Sequence, residues 1–312
     1  IVLNNLGWQY KSLGKYKEAE ILFKQSLEIR KKVFGLEHVS TAKALNNLGS
    51  IYDSDSLSQY EKAEIFYKQS LEIYKKVLGL EHTDTATVLN DLGKLYAALG
   101  KYKKAEIYYK QSLEIYKKVL GPDNAFTATA LHNLGFFYTS LGKYKKAEPL
   151  YKQSIEIFQK ILGLEHPHTV RAFGNLGLLY ESLSKYKKAE PILQRSLEIS
   201  KKISGIEHPN TSTALNNLGL LYSNLGQYEK AEPLYRQSLR IRKKVFGLEH
   251  PYTAIALNNL GILYMELGQY KKAEPILNES LAIRKKVFGL EHPDTATLMD
   301  NLANLYESVG EY

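Results

Sequence analysis

The stretch from Leu215 to Gly247, LNNLGLLYSNLGQYEKAEPLYRQSLRIRKKVFG, decides the fold. Leu215, Leu218, Gly219 and Tyr222 stand at i, i+3, i+4 and i+7, a spacing that lines one face of an α-helix. A second helix is expected through Tyr228, Ala231, Leu234, Tyr235, Ser238, Leu239, Ile241, Val245 and Phe246. Gly247 stands just past its end, where a glycine terminates a helix most readily. Gly219 and Ala231 are small enough to let two helix backbones approach closely, and larger side chains there would overpack the pair.

The same pattern recurs along the whole chain. Its glycine is Gly7, Gly49, Gly93, Gly135, Gly177, Gly219 and Gly261, with Ala303 in an eighth copy. The step is 42 residues except between Gly49 and Gly93, where two extra residues fall in the segment Asp53 to Gln59 and make it 44. A tyrosine nine residues after the glycine keeps the same beat, ending with Tyr312. These landmarks predict one solenoid over residues 1–312, without a domain boundary, built of repeats 1–42, 43–86, 87–128, 129–170, 171–212, 213–254 and 255–296 and a half repeat 297–312. One helix pair cannot bury its apolar face alone, whereas stacked pairs bury a continuous core.

Composition narrows the chemistry. The 312 residues include no cysteine, so disulfides, thiolate metal sites and a thiol nucleophile are excluded. No apolar run of membrane-spanning length occurs, so no membrane partner is expected, and a cytoplasmic location is the expectation. A start at Ile1 suggests a fragment of a longer protein. The net charge of +9 invites nucleic acid as a partner, but it divides unevenly. First helices hold Lys11, Lys43, Lys94 and Arg171 against Asp53, Asp55, Asp91, Glu181, Glu266, Asp300 and Glu307, a balance of −3. The remaining +12 lies on second helices and connections, the opposite of what a groove tracking phosphates needs.

The residues Leu215, Leu218-Gly219, Tyr222, Tyr228, Ala231, Tyr235 and Ser238 resemble the tetratricopeptide repeat. The second helix runs on through Lys243-Lys244-Val245-Phe246 into a Gly-Leu-Glu-His-Pro-x-Thr connection, as in the 42-residue repeats of kinesin light chains. The resemblance implies an all-α, right-handed α-solenoid superhelix whose concave groove, lined by first helices, holds a peptide or partner segment. It implies a non-catalytic protein-interaction module without cofactor. The alternatives are a sensor or regulatory array of a larger signalling protein, and nucleic-acid binding through the basic outer face. Repeat faces left open at both ends make end-to-end self-association an expected packing mode.

Candidate sites follow from the repeat. The Glu-His pairs containing His38, His82, His166, His208, His250 and His292 occur once per step, too far apart to converge on one metal ion, and are expected to cap the turn into the next helix. Glu28 with Lys32, Glu72 with Lys76, Glu114 with Lys118, Glu156 with Lys160 and Glu198 with Lys202 are expected to pair at i, i+4. Pro149, Pro191, Pro233 and Pro275 are expected near the start of their helices. Three residues before the glycine, Asn46, Asn90, His132, Asn216 and Asn258 share a face that the kinesin-light-chain resemblance turns toward the groove. Phe136, Leu178, Leu220, Ile262 and Met265 form an apolar strip on the same face, suited to anchoring side chains of a bound peptide. The second asparagine of each pair, such as Asn47 or Asn259, points nearer the seam between repeats.

Overall fold

In the computed structural model, which describes residues 2–53, 59–290 and 292–310, the chain is entirely helical, with no strand among the described residues. First helices are α1 (Val2–Ser12), α3 (Val39–Tyr52), α5 (Thr83–Ala98), α7 (Ala125–Ser140), α9 (Pro167–Ser182), α11 (Pro209–Asn224), α13 (Pro251–Glu266) and α15 (Pro293–Val309). Second helices are α2 (Tyr16–Phe34), α4 (Tyr60–Leu78), α6 (Tyr102–Leu120), α8 (Tyr144–Leu162), α10 (Tyr186–Ser204), α12 (Tyr228–Phe246) and α14 (Tyr270–Phe288). Ile1, the insertion residues 54–58 and the Tyr312 landmark lie outside the described residues. The chain divides into two compact units, Ile1–Ile161 and Leu162–Tyr312.

Within each unit the helix pairs lock through the repeat glycine. A Cβ on Gly49 would stand 2.7 Å from the Tyr67 ring, and one on Gly177 would stand 2.5 Å from Leu193 Cδ2, so each glycine holds a space that the second-helix side chain fills. Ala63, Ala189 and Ala231 are fully buried at the same crossings. Successive repeats are then bolted by polar pairs. Tyr52, Tyr96, Tyr222 and Tyr264 donate to Glu20, Glu64, Glu190 and Glu232 on the preceding second helix at 2.7–2.9 Å. Buried serines such as Ser70 and Ser238 donate to the carbonyls of Ala42 and Ser212 at 2.8 Å.

The Glu-His connections act as caps. Nδ1 of His38, His82, His208 and His250 accepts from the backbone N–H two residues on, at 3.0–3.1 Å, and Asn124 Oδ1 takes the role in the deviant connection. Two local expectations need correction. Lys76, Lys118, Lys160 and Lys202 reach Glu37, Glu81, Asp123 and Glu165 in the preceding connection rather than the acid four residues earlier. The long side chains bridge the step between repeats, while i, i+4 pairing occurs near the helix starts, as in Lys68 with Glu64. Pro149, Pro191, Pro233 and Pro275 lie inside their helices, five residues past the starts. All four are exposed, so water can solvate the carbonyl that loses its helical partner.

Candidate functional site

Asparagines paired from one first helix to the next build rungs along the seam between repeats. Asn133 Nδ2 donates to Asn90 Oδ1 at 2.9 Å, Asn259 to Asn216 at 2.8 Å and Asn301 to Asn258 at 2.9 Å; Asn47 makes the same bond to Asn4. The second asparagine is therefore the donor, and the first asparagine is the acceptor. With its carbonyl held, the amide nitrogen of Asn216 or Asn258 is turned away from the seam. Both residues are half-buried, as are Asn46, Leu178, Leu220, Ile262 and Met265, while Asn90 is buried. Phe136 is 57% exposed. His132 is buried, its ring edge against Tyr151 with centroids 5.4 Å apart.

The ladder changes chemistry where a rung is substituted. In α5 the second position is Asp91, which can only accept. Asn46 Nδ2 accordingly donates to Asp91 Oδ2 at 3.1 Å, the reverse of the other rungs, and Asn46 Oδ1 is left buried without a partner. Lys94 Nζ also reaches Asp91, at 3.2 Å. Nearby, burial and the charge of Asp91 push the Asp53 carboxyl up to about 7, although Tyr67 donates to it at 3.3 Å. Asn46, Asp53, Asp91 and Lys94 line a cavity of about 640 Å³ in the first unit, together with Trp8 and Lys11. Lys11 is held there by the Ser50 carbonyl at 2.8 Å and stands 4.9 Å from the Trp8 ring centroid.

In the second unit a rung is missing. Gly174 occupies the acceptor position, and a Cβ there would stand 3.3 Å from Asn217 Nδ2, which finds no acceptor among the described residues. Gly174 and Asn217 line a cavity of about 260 Å³ whose charged wall is Arg171. Arg171 is exposed as a whole residue, yet the surrounding walls desolvate the guanidinium and lower its pKa. It lies 3.2 Å from His168 Nδ1, giving His168 a neighbour that its sequence position did not suggest. Sequence reading singled out the asparagines but not Asp53, Asp91, Arg171 or Asn217 as site members. The signal was present as departures from the repeat: Asp91 in a column of asparagines and Arg171 where Thr87, Thr129 and Thr213 stand.

These side chains offer hydrogen bonds and charge. Among the described residues no group of three or more His, Cys, Asp or Glu side chains could hold a metal ion, and no helix is long and apolar enough to cross a membrane.

The model of the family described as tetratricopeptide repeat matches residues 1–76, 56–118, 126–202, 181–244, 210–286 and 252–312. Among solved structures, BtubC (BKLC) from P. vanneervenii is 23% identical, with 74% of this chain and 92% of that one covered and a TM-score of 0.62. A Podosopora anserina kinesin light chain protein of nearly identical TPR-like repeats is 26% identical over 66% of this chain and 98% of that one, with a TM-score of 0.53. A Rap protein complexed with Competence and Sporulation Factor is 18% identical, covering 91% of this chain and 74% of that one, with a TM-score of 0.70. No protein with a curated description matches significantly.

Proposed function

We infer that this chain, which belongs to the tetratricopeptide repeat family and is a protein-interaction repeat module, binds an extended polypeptide segment along the open face of its first helices. The observation that carries the reading is the ladder itself. Because the Oδ1 atoms of Asn216 and Asn258 accept from Asn259 and Asn301, their amide nitrogens remain as oriented donors for the carbonyls of an extended backbone. Asn216 and Asn258 stand one repeat apart, and Leu220, Ile262 and Met265 lie on the same face to receive side chains. Binding of this kind needs no catalytic group and no cofactor.

The test is capture of peptides from a random display library by the immobilised chain. Removing both side chains in Asn216→Ala with Asn258→Ala deletes two hydrogen bonds of ~0.5–1.5 kcal/mol each, so retained peptides should bind about tenfold or more weakly while the circular dichroism spectrum stays helical. Unchanged capture by the double variant would reject this placement.

A further inference from the structure

One substitution strains the first unit in two ways. Asp91 stands in the column of Asn47, Asn133, Asn175, Asn217 and Asn259. An acid there reverses the rung, so that Asn46 Oδ1 is left buried without a partner, and it sets a second carboxylate near Asp53. Each change weakens the folded chain, because a buried carbonyl without a donor forfeits a hydrogen bond and two neighbouring carboxylates repel when both are ionised. Nothing in the helix offsets this, since α5 and α11 have the same length and the same histidine cap, one with Asp91 and the other with Asn217. A residue that breaks a repeat rule at the expense of stability points to binding.

Asn46, Asp53 and Asp91 line the cavity of about 640 Å³. They present acceptors to it: the orphaned carbonyl oxygen and the oxygens of two carboxyl groups, each able to accept more than once. The lysines of the same wall are engaged or outside, with Lys94 Nζ 3.2 Å from Asp91, Lys11 donating to the Ser50 carbonyl at 2.8 Å, and Lys43 exposed. Among the described residues no three carboxylates converge tightly enough to hold a metal ion. A protonated amine suits acceptors spread along a wall, because it carries three donors and no acceptor. Lys11 already places one such group in the cavity, 4.9 Å from the Trp8 ring centroid. The volume leaves room for a second ammonium together with the stem that carries it.

We propose that the cavity between α1, α3, α4 and α5 binds a primary ammonium group, which donates to Asn46 Oδ1 and to the carboxylates of Asp53 and Asp91. This rests on the reading of the first-helix face as the binding face and gives that face a preference, for the ammonium is that of a lysine side chain or of a free amino terminus in the bound segment. Its arrival ionises Asp53, and the proton passes to solvent. The groups that act on Asp53 are Asp91 and Lys94 of α5, Tyr67 of α4 and Lys11 of α1. Lys43 of α3 and Asp84 of α5 complete the charged lining.

Binding is measured on the full 312-residue chain by amide nuclear magnetic resonance at constant ionic strength, following the Asn46 side-chain amide. The probes are N-acetyl-lysine amide for a side-chain ammonium and alanine amide for a terminal one. N-acetyl-norleucine amide supplies the stem without the charge, and tetramethylammonium the charge without donors. A saturable shift with an amine and none with the two controls is expected, and the tighter amine identifies the source. Asp53→Asn, which keeps the shape, should weaken binding about tenfold or more. Asp91→Asn, which restores the repeat residue and gives the Asn46 carbonyl a donor, should abolish it. The lysine probe stays charged throughout, so its binding should tighten about tenfold between about pH 6 and about pH 8 as Asp53 gives up its proton. No saturable shift with either amine, an equal response to either control, or amine binding indifferent to pH or to either aspartate variant would overturn the proposal. Peptide capture lost in Asn216→Ala with Asn258→Ala but no amine response rejects the ammonium site and leaves the binding face standing. An amine response from a chain that captures no peptide supports the site and rejects the face.

Discussion

Asn46 with Asp91 in the first unit and Gly174 with Asn217 in the second are equivalent rungs in two different repeats, each altered by one residue. Replacing the donor by Asp91 reverses the rung, orphans a carbonyl and places a carboxylate beside Asp53. Replacing the acceptor by Gly174 empties the rung and exposes donors to a cavity bordered by Arg171. The backbone hardly registers either change, since α5 and α9 are both 16 residues long and have the same cap two residues before an N–H. In a repeat protein, side-chain substitution at a fixed step can therefore write opposite chemistries on one face without altering the fold.

The comparison would break if Gly174 were a packing glycine like its neighbour Gly177, so the largest effect is expected where the two are separated. Gly177→Ala drives a Cβ to 2.5 Å from Leu193 Cδ2 and 2.6 Å from its Cγ, and Leu193 is 1% exposed with little room to yield. Denaturant unfolding should show a loss of about 1–3 kcal/mol. Gly174→Ala meets Asn217 Nδ2 at 3.3 Å and Ser196 Oγ at 3.8 Å, both ends of polar side chains rather than a packed apolar one, and should gain about 0.5–1 kcal/mol from helix propensity. A loss of similar size at both positions would make Gly174 structural.

The glycine pair also shows what the sequence made legible. Helix pairing, the repeat length, the histidine caps and the crossing glycines could all be read, because each depends on local spacing that recurs six or seven times. The direction of the asparagine rungs could not be. It depends on which amide edge meets a neighbour 43 residues away, and nothing local to Asn216 or Asn259 distinguishes donor from acceptor. The cavity beside Arg171 was hidden for a related reason: Gly174 and Ser200 lie 26 positions apart on different helices, and only packing shows that they vacate the same volume. The lysine partners were misread because i, i+4 spacing is visible in sequence, whereas the acid 37 residues back, as for Lys286 and Glu249, is not.

A smaller effect should follow from restoring the reversed rung. Asp91→Asn supplies the missing donor, lets the Asn46 amide turn its carbonyl toward the seam, and removes one of the two causes of the raised Asp53 pKa. Satisfying a buried carbonyl should stabilise the chain by about 1–2 kcal/mol in thermal or urea unfolding. The Asp53 carboxyl, followed by carbon-detected resonance through a pH titration, should fall from about 7 yet stay above the ordinary 3.8, because burial is its larger cause and persists. An unmoved titration would mean that Asp91 does not act on Asp53.

The last contrast between the units is in the sign of their pH dependence, the Asp53 cost growing toward neutral pH and the His250 cost growing on acidification. Asp53 holds its proton in the folded chain up to about pH 7, whereas the unfolded chain releases it near 3.8, so between those values the folded state binds more protons and stability falls as pH rises. His250 behaves oppositely. Burial first, then the Arg242 charge, lower its pKa to about 4 from 6.5, and its Nδ1 must stay unprotonated to accept from the Tyr252 N–H. Over that interval the unfolded chain binds more protons, so the His250 contribution is present above about pH 6.5 and is lost as pH falls toward 4. His250→Asn keeps a capping oxygen, as Asn124 does in its own connection, but removes the titration. Melting curves of the two chains should therefore coincide near pH 7 and separate below 6.5, with the variant the more stable. Asp53→Asn should separate from the parent in the other sense, gaining on it as pH rises from 4 to 7. Parallel curves for His250→Asn across the whole range would show that the cap does not sense protons, and parallel curves for Asp53→Asn would show that the carboxyl beside the reversed rung does not hold its proton on folding.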